Sequence, residues 1–308
     1  MKLSDTIQLG TSIPQAFTEG PVDMDIVRKI VIRSEDLGFE SLWTSSSVLG
    51  GSASLEPTGL LHYVAGLTHK VRLGVSVLVF PLHSPVSIAK SFASLDQVSG
   101  GRAIVGLGLG SADDAYGAFG LTPAKRVKRF EEGIEVMKSL WTQAITNHAN
   151  EFLSLENAMM EPKPLQKPHI PLWIGGGHNN VLRRSVNLAD GWMGAGASSN
   201  TDFKERVRVI NDIMDETGRD PGTFTISKRI YIAVDSNETR AIERLSRWTG
   251  AVYGNADMAS EIAVWGSAEK CSEILNDVAS VGVDHLLIHP VFDFEEQLEA
   301  IAEICGLR

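Results

Sequence analysis

Short apolar runs and amphipathic stretches alternate along the whole chain. Residues 71–110 show the unit most clearly. Residues 72–79 are apolar and β-branched, the pattern of a strand buried on both faces. Pro81 and Pro85 mark a turn, residues 86–98 fit one helix, and Ser99-Gly100-Gly101 stops it. Residues 103–109 form a second buried strand that ends in alternating glycines. Two such strands joined by a helical crossover make a parallel βαβ unit, and glycine at the strand's carboxyl end lets a ligand approach the backbone.

The same rhythm predicts strands at 6–13, 40–44, 172–175, 191–194, 224–234 and 284–289. Helices are expected at 23–37 with Asp23 as the cap, 57–67, 179–188, 202–216, 238–248, 268–281 with Ser267 as the cap, and 295–304. Thr122-Pro123 reads as the start of the most regular helix. Its apolar residues Val127, Phe130, Ile134, Met137 and Trp141 recur at spacings of three and four and predict a core-facing stripe. Residues 142–170 break the rhythm, with four prolines and room for an irregular hairpin around Phe152 and Leu155. Residues 250–264, rich in small side chains, read as a mobile insertion, and Asp96 and Arg102 as a structural pair near the barrel bottom.

Eight strands with helical crossovers fit a (β/α)8 TIM barrel with insertions, expected as one domain over residues 1–308. The chain's net charge of −10 argues against a nucleic-acid surface and is compatible with a small-molecule substrate. Cys271 and Cys305 sit in helical patterns, as reduced core residues do. There is no apolar leader at the start and no apolar run long enough to span a bilayer, so a cytoplasmic protein with no membrane partner is expected. No metal-ligand cluster is present in the pattern.

A barrel builds its active site at the carboxyl ends of its strands. That rule selects Ser12, residues 44–47, 76–80, 108–114, 175–178 and 195–198, and His289. Gly175-Gly176-Gly177 precedes a helix, where free N–H groups favour an anion.

Segments spread over nearly the whole chain carry a family resemblance. They are GFESLWTSS (38–46), EPTGLLHYVAGLTHKVRLG (56–74), SLDQVSGGRAIVGLGLGS (94–111), PKPLQKPHIPLWIGGG (162–177), ADGWM (189–193), TGRDPGTFTI (217–226) and WGSAEK with GVDHLLIHP (265–290). In this order they resemble the luciferase-like flavin oxidoreductases, above all the branch that uses the deazaflavin coenzyme F420. The resemblance implies hydride transfer between F420 and a small organic substrate, in a dimer of identical chains. It also implies a non-proline cis peptide at Ser76-Val77 behind the coenzyme ring. Ser76, Val77, Gly108, Ser111 and Asp114 would line the ring, and Gly175, Gly176 and Gly177 would hold phosphate.

One departure stands out. Where many F420-using relatives carry Asp-His, this chain has Ser46-Ser47. A serine without a neighbouring base does not readily take a proton near neutral pH. Ser46 is left as a coenzyme contact, and Ser47, His83 and His178 as the catalytic candidates. The departure keeps two alternatives open: an FMN-dependent monooxygenase served by a separate flavin reductase, and a flavin-binding barrel without catalysis.

Overall fold

The computed structural model describes residues 2–17, 20–46, 49, 52–110 and 116–307. Eight parallel strands close on themselves: β1 (Gln8–Ser12), β2 (Ser41–Thr44), β3 (Arg72–Val75), β4 (Ala103–Gly108), β5 (Leu172–Gly175), β6 (Gly191–Gly194), β7 (Thr225–Val234) and β8 (His285–Pro290). β4 pairs with β5 at Leu172↔Val105, and β8 with β1 at Gln8↔His285, so no barrel edge is left unpaired. The fold is a (β/α)8 TIM barrel.

Among the described residues, ten helices surround it: α1 (Met24–Asp36), α2 (Pro57–Ala65), α3 (Pro85–Ser99), α4 (Arg126–Thr142), α5 (Asn179–Leu188), α6 (Asn200–Thr217), α7 (Glu238–Tyr253), α8 (Ala259–Ile262), α9 (Ala268–Ala279) and α10 (Phe294–Cys305). Local chemistry fixes their ends. Asp23 accepts hydrogen bonds from the Asp25 and Ile26 amides, and Gly100 closes α3 in the left-handed region at φ 73°. Two apolar clusters lie between strands and helices, and the cysteines are buried and free. None of the helices, among the described residues, is long and apolar enough to cross a membrane.

Three expectations are corrected. Helix α4 starts at Arg126 rather than at Thr122-Pro123, because Lys125 takes a left-handed turn at φ 59°. Its stripe faces the core from Phe130 onward, whereas Val127 is exposed. Residues 250–264, expected as a mobile insertion, are built from regular elements: they hold the end of α7, then α8, and run into a short strand, Ala263–Gly266, paired with β7. Asp96 and Arg102 do not pair with each other. Buried Asp96 accepts from the Leu165 and Gln166 amides and from Gln166 Nε2, and Arg102 donates to the carbonyls of Ala65, Thr68, Val71 and Ser99. Backbone carbonyls around the strand starts need donors, and the guanidinium supplies several at once. The irregular hairpin does form, between Thr146–Ala149 and Ser154–Ala158.

The barrel interior is filled. Trp43 and Trp173 stack with ring centroids 5.1 Å apart, and Ile104, Met193 and Leu287 complete the cluster. Trp43 fits because β3 carries Gly74 opposite it: a Cβ there would lie 2.4 Å from the indole. Beneath, the His285 ring lies 2.8 Å from Ser41 Oγ and 2.7 Å from Ser227 Oγ. Full burial pushes this imidazole down to about 3, so it is neutral.

Candidate active site

The mouth lies at the carboxyl ends of the strands and holds two adjoining cavities, of about 700 and about 570 Å³. Ser76, Val77, Arg229, Tyr231 and Tyr253 border both.

The wall they share begins with β3. Ser76-Val77 is a cis peptide bond between two non-proline residues, as the resemblance implied. The chain then resumes at Leu78–Val79, pairing with β4. Val77 packs onto the cluster of Trp43, Ile104, Trp173, Met193 and Leu287. Its two methyls occupy the space that side chains at 108 and 175 would need. A Cβ at Gly108 would lie 2.6 Å from Val77 Cγ2, and one at Gly175 would lie 2.8 Å from Val77 Cγ1. These glycines therefore make room for Val77 as well as for a ligand, a role that the strand pattern alone does not reveal.

The first cavity contains the glycine turn. His178 caps α5, its Nδ1 accepting from the Asn180 amide at 3.2 Å. Gly176 has φ 137°, a conformation that side chains rarely adopt. The Arg206 guanidinium, from α6, lies over Gly177, 2.5 Å from where a Cβ would stand. Arg126 and Arg184 also line this cavity, and Arg184 is paired with Glu131 at 2.7 Å. Neither cavity has an aspartate or glutamate among its described lining residues.

The second cavity is aromatic on one side. The Tyr231 ring lies 4.6 Å from Trp248 and 5.3 Å from His289, and its hydroxyl is hydrogen-bonded to that of Tyr253. Desolvation raises the Tyr253 phenol well above the usual tyrosine range, so it stays protonated. Arg229 donates through Nε (3.1 Å) and Nη2 (2.6 Å) to His289 Nδ1, and through Nη1 to the Ser76 carbonyl at 3.1 Å. The depth of the site, and then the neighbouring Arg229 charge, hold His289 well below the ordinary histidine value. Its neutral ring accepts at Nδ1 and so carries its hydrogen on Nε2.

The structure thus brings Ser76, Val77, Gly108, Gly175, Gly176, Gly177 and His178 to the first cavity, and Ser46, Ser76 and Val77 to the second. His83 is not brought with them. It lines a separate cavity of about 290 Å³, with its ring against Phe119, and burial lowers its pKa. Ser47, Ser111 and Asp114 lie outside the described residues. Sequence reasoning missed Arg229, Tyr231 and Tyr253. A period of two along β7 was the available signal: positions 227, 229 and 231 share the interior face with buried Ser227.

The chain is thus a closed parallel barrel whose mouth joins a small apolar platform to a glycine turn at a helix start. The chain belongs to the luciferase-like monooxygenase family, whose model matches residues 7–285. It is 27% identical over 228 residues to the F420-dependent glucose-6-phosphate dehydrogenase of Kineococcus radiotolerans, covering 70% of this chain and 66% of that protein. A solved F420-dependent secondary alcohol dehydrogenase, in complex with an F420–acetone adduct, superposes with a TM-score of 0.85 at 20% identity, covering 97% of this chain and 98% of that one. The oxygenating constituent of 3,6-diketocamphane monooxygenase from Pseudomonas putida, in complex with FMN, superposes with a TM-score of 0.76 at 14% identity, covering 97% of each chain. At these identities the two solved structures share the fold with this chain.

Proposed function

We propose that this protein is an oxidoreductase that moves a hydride between coenzyme F420 and a small organic substrate. The observation that carries this reading is the seat of Val77. It stands between Gly108 and Gly175, over a packed aromatic floor and beside the glycine turn of α5. A flat apolar support next to an anion-favouring turn suits a coenzyme with a planar ring and a phosphate-bearing tail. The residues present therefore fit the group. Val77 backs the ring, and Ser46, Ser76 and Gly108 border it. Gly175, Gly176 and Gly177, with Arg126 and Arg206, take the phosphate.

When bound, the coenzyme supplies the hydride or accepts it. The protein's own groups handle the proton and the solvent. His289 Nε2–H and the Tyr231–Tyr253 hydroxyl pair are donors near neutral pH. Donors without a free base favour reduction of a carbonyl, whose new alkoxide needs a proton, over oxidation of an alcohol. Trp248, Ala251, Val252 and Tyr253, from the end of α7, line the second cavity and give it an apolar wall that would limit water around the reacting groups.

Ser46 in place of an acid–base pair supports a second reading, in which the same seat takes FMN and the reaction consumes oxygen. Titration of the purified protein with F420 and with FMN separates the two. Saturable F420 binding, with hydride transfer to ketones, is expected. Absence of F420 binding, together with oxygen uptake dependent on reduced FMN, would replace the first reading by the second.

A further inference from the structure

We propose that Arg229 recognises a carboxylate on the substrate, so that the second cavity takes an acid with a largely apolar body. This names the substrate class for the site proposed above and rests on the assignment of the second cavity to the substrate.

The argument starts from charge. The chain carries a net charge of −10, yet its mouth shows no carboxylate among the described lining residues. A guanidinium held inside a protein is normally matched by an acid, because leaving a charge half-buried and unmatched is costly. Arg229 has no ion pair with any described residue. Its protein partners are a neutral imidazole and a backbone carbonyl. The other arginines of the mouth are placed differently. Arg184 is paired with Glu131 and Arg206 lies over Gly177; Arg126, like Arg229, has no ion pair with a described residue, but it lines the first cavity alone, so among the described residues Arg229 is the arginine that borders the second.

Geometry then narrows the ligand. A guanidinium has five N–H groups. Arg229 uses Nε–H and one on Nη2 for His289, and one on Nη1 for Ser76. Two remain, one on each terminal nitrogen, and a carboxylate's two oxygens can accept from both. The Ser76 and His289 bonds hold the plane of the guanidinium in place, so little freedom is lost when an anion docks. Trp43, Trp248, Tyr231 and Tyr253 line the remainder of the space and suit an apolar or aromatic body.

Benzoate and benzyl alcohol serve as probes, since they share a ring and differ in the charged group. Calorimetric titration is made on the protein alone and after loading with F420. Benzoate is expected to bind at least about tenfold more tightly than benzyl alcohol, the scale of a charge-assisted bidentate contact. Arg229→Gln is expected to remove that preference while leaving benzyl alcohol and F420 affinities within about twofold. Should Arg229→Gln fail to fold, Arg229→Lys keeps the charge and loses the paired terminal nitrogens, and benzoate is expected to weaken by at least about threefold. Equal affinity for the two probes in the unaltered protein overturns the proposal. So does a preference that survives in Arg229→Gln, or a variant that loses F420 but keeps the benzoate preference. If F420 fails to bind while the benzoate preference stands and depends on Arg229, the coenzyme assignment falls and the carboxylate assignment holds.

Discussion

Single residues decide the shape of the mouth. Gly108 and Gly175 are needed because Val77 fills the volume beside them, so a methyl at either position meets a branched side chain that cannot swing away. Gly108→Ala is expected to displace Val77, to weaken F420 binding at least about tenfold and to cost about 1–3 kcal/mol of stability, the usual range for overpacking. Coenzyme titration and urea unfolding measure the two effects, and an unchanged affinity would remove Val77 from the binding surface. Lys228, on the opposite face of β7, anchors the loop after β6 by donating to the Ala195 and Ser198 carbonyls and to Ser198 Oγ. Burial pushes it down to about 7, whereas a lysine in the unfolded chain titrates near ~10.4. Between those values the unfolded chain binds the extra proton, so stability contributed by this group rises as pH climbs from about 7 towards about 10. Lys228→Met is expected to flatten that rise, and parallel urea-midpoint curves for the two proteins at pH 7 and 9.5 would refute the linkage. The glycines at 108 and 175–177 were legible as strand-end and turn residues. Their service to Val77 was not, because it depends on a contact between strands far apart in sequence.

At the scale of elements, hydrophobic periodicity located all eight barrel strands and most helices, since fully buried parallel strands leave continuous apolar runs. It failed where a turn overrode the pattern. Thr122-Pro123 has the chemistry of a helix start, but left-handed Lys125 postpones α4 to Arg126. The segment 250–264 lacked apolar pattern and still became helix and strand, because Ala263–Gly266 gains backbone partners along β7. Asp96 shows how elements are tied together. From the end of α3 it receives three hydrogen bonds from Leu165 and Gln166, which lie in the proline-rich connection leading to β5. Asp96→Ala would strand those donors at a fully buried site and is expected to cost about 2–4 kcal/mol. Urea unfolding tests this, and a loss under about 1 kcal/mol would show that water replaces the carboxylate.

For the molecule as a whole, the closed barrel and the family were both legible, because topology and motif order run the length of the chain. The electrostatic character of the mouth was not, since Arg126, Arg184, Arg206 and Arg229 come from four separate elements that only folding assembles. Cys271 and Cys305 report on the whole fold. Burial pushes both thiols up to about 12, so neither is nucleophilic near neutral pH. A thiol-reactive dye is expected to label neither in the native protein and both after unfolding, and rapid native labelling would indicate that the helices at the carboxyl-terminal end open readily. The stacked indoles and the neutral histidine beneath them have a kinetic corollary. Because Trp43, Trp173 and His285 fill the cylinder beneath the mouth, a coenzyme seated on Val77 and its substrate would share the entrance at the carboxyl ends of the strands. Whatever settles deepest is the first to arrive and the last to depart, so steady-state rates should follow a compulsory order, with the redox carrier retained while successive guests come and go above it.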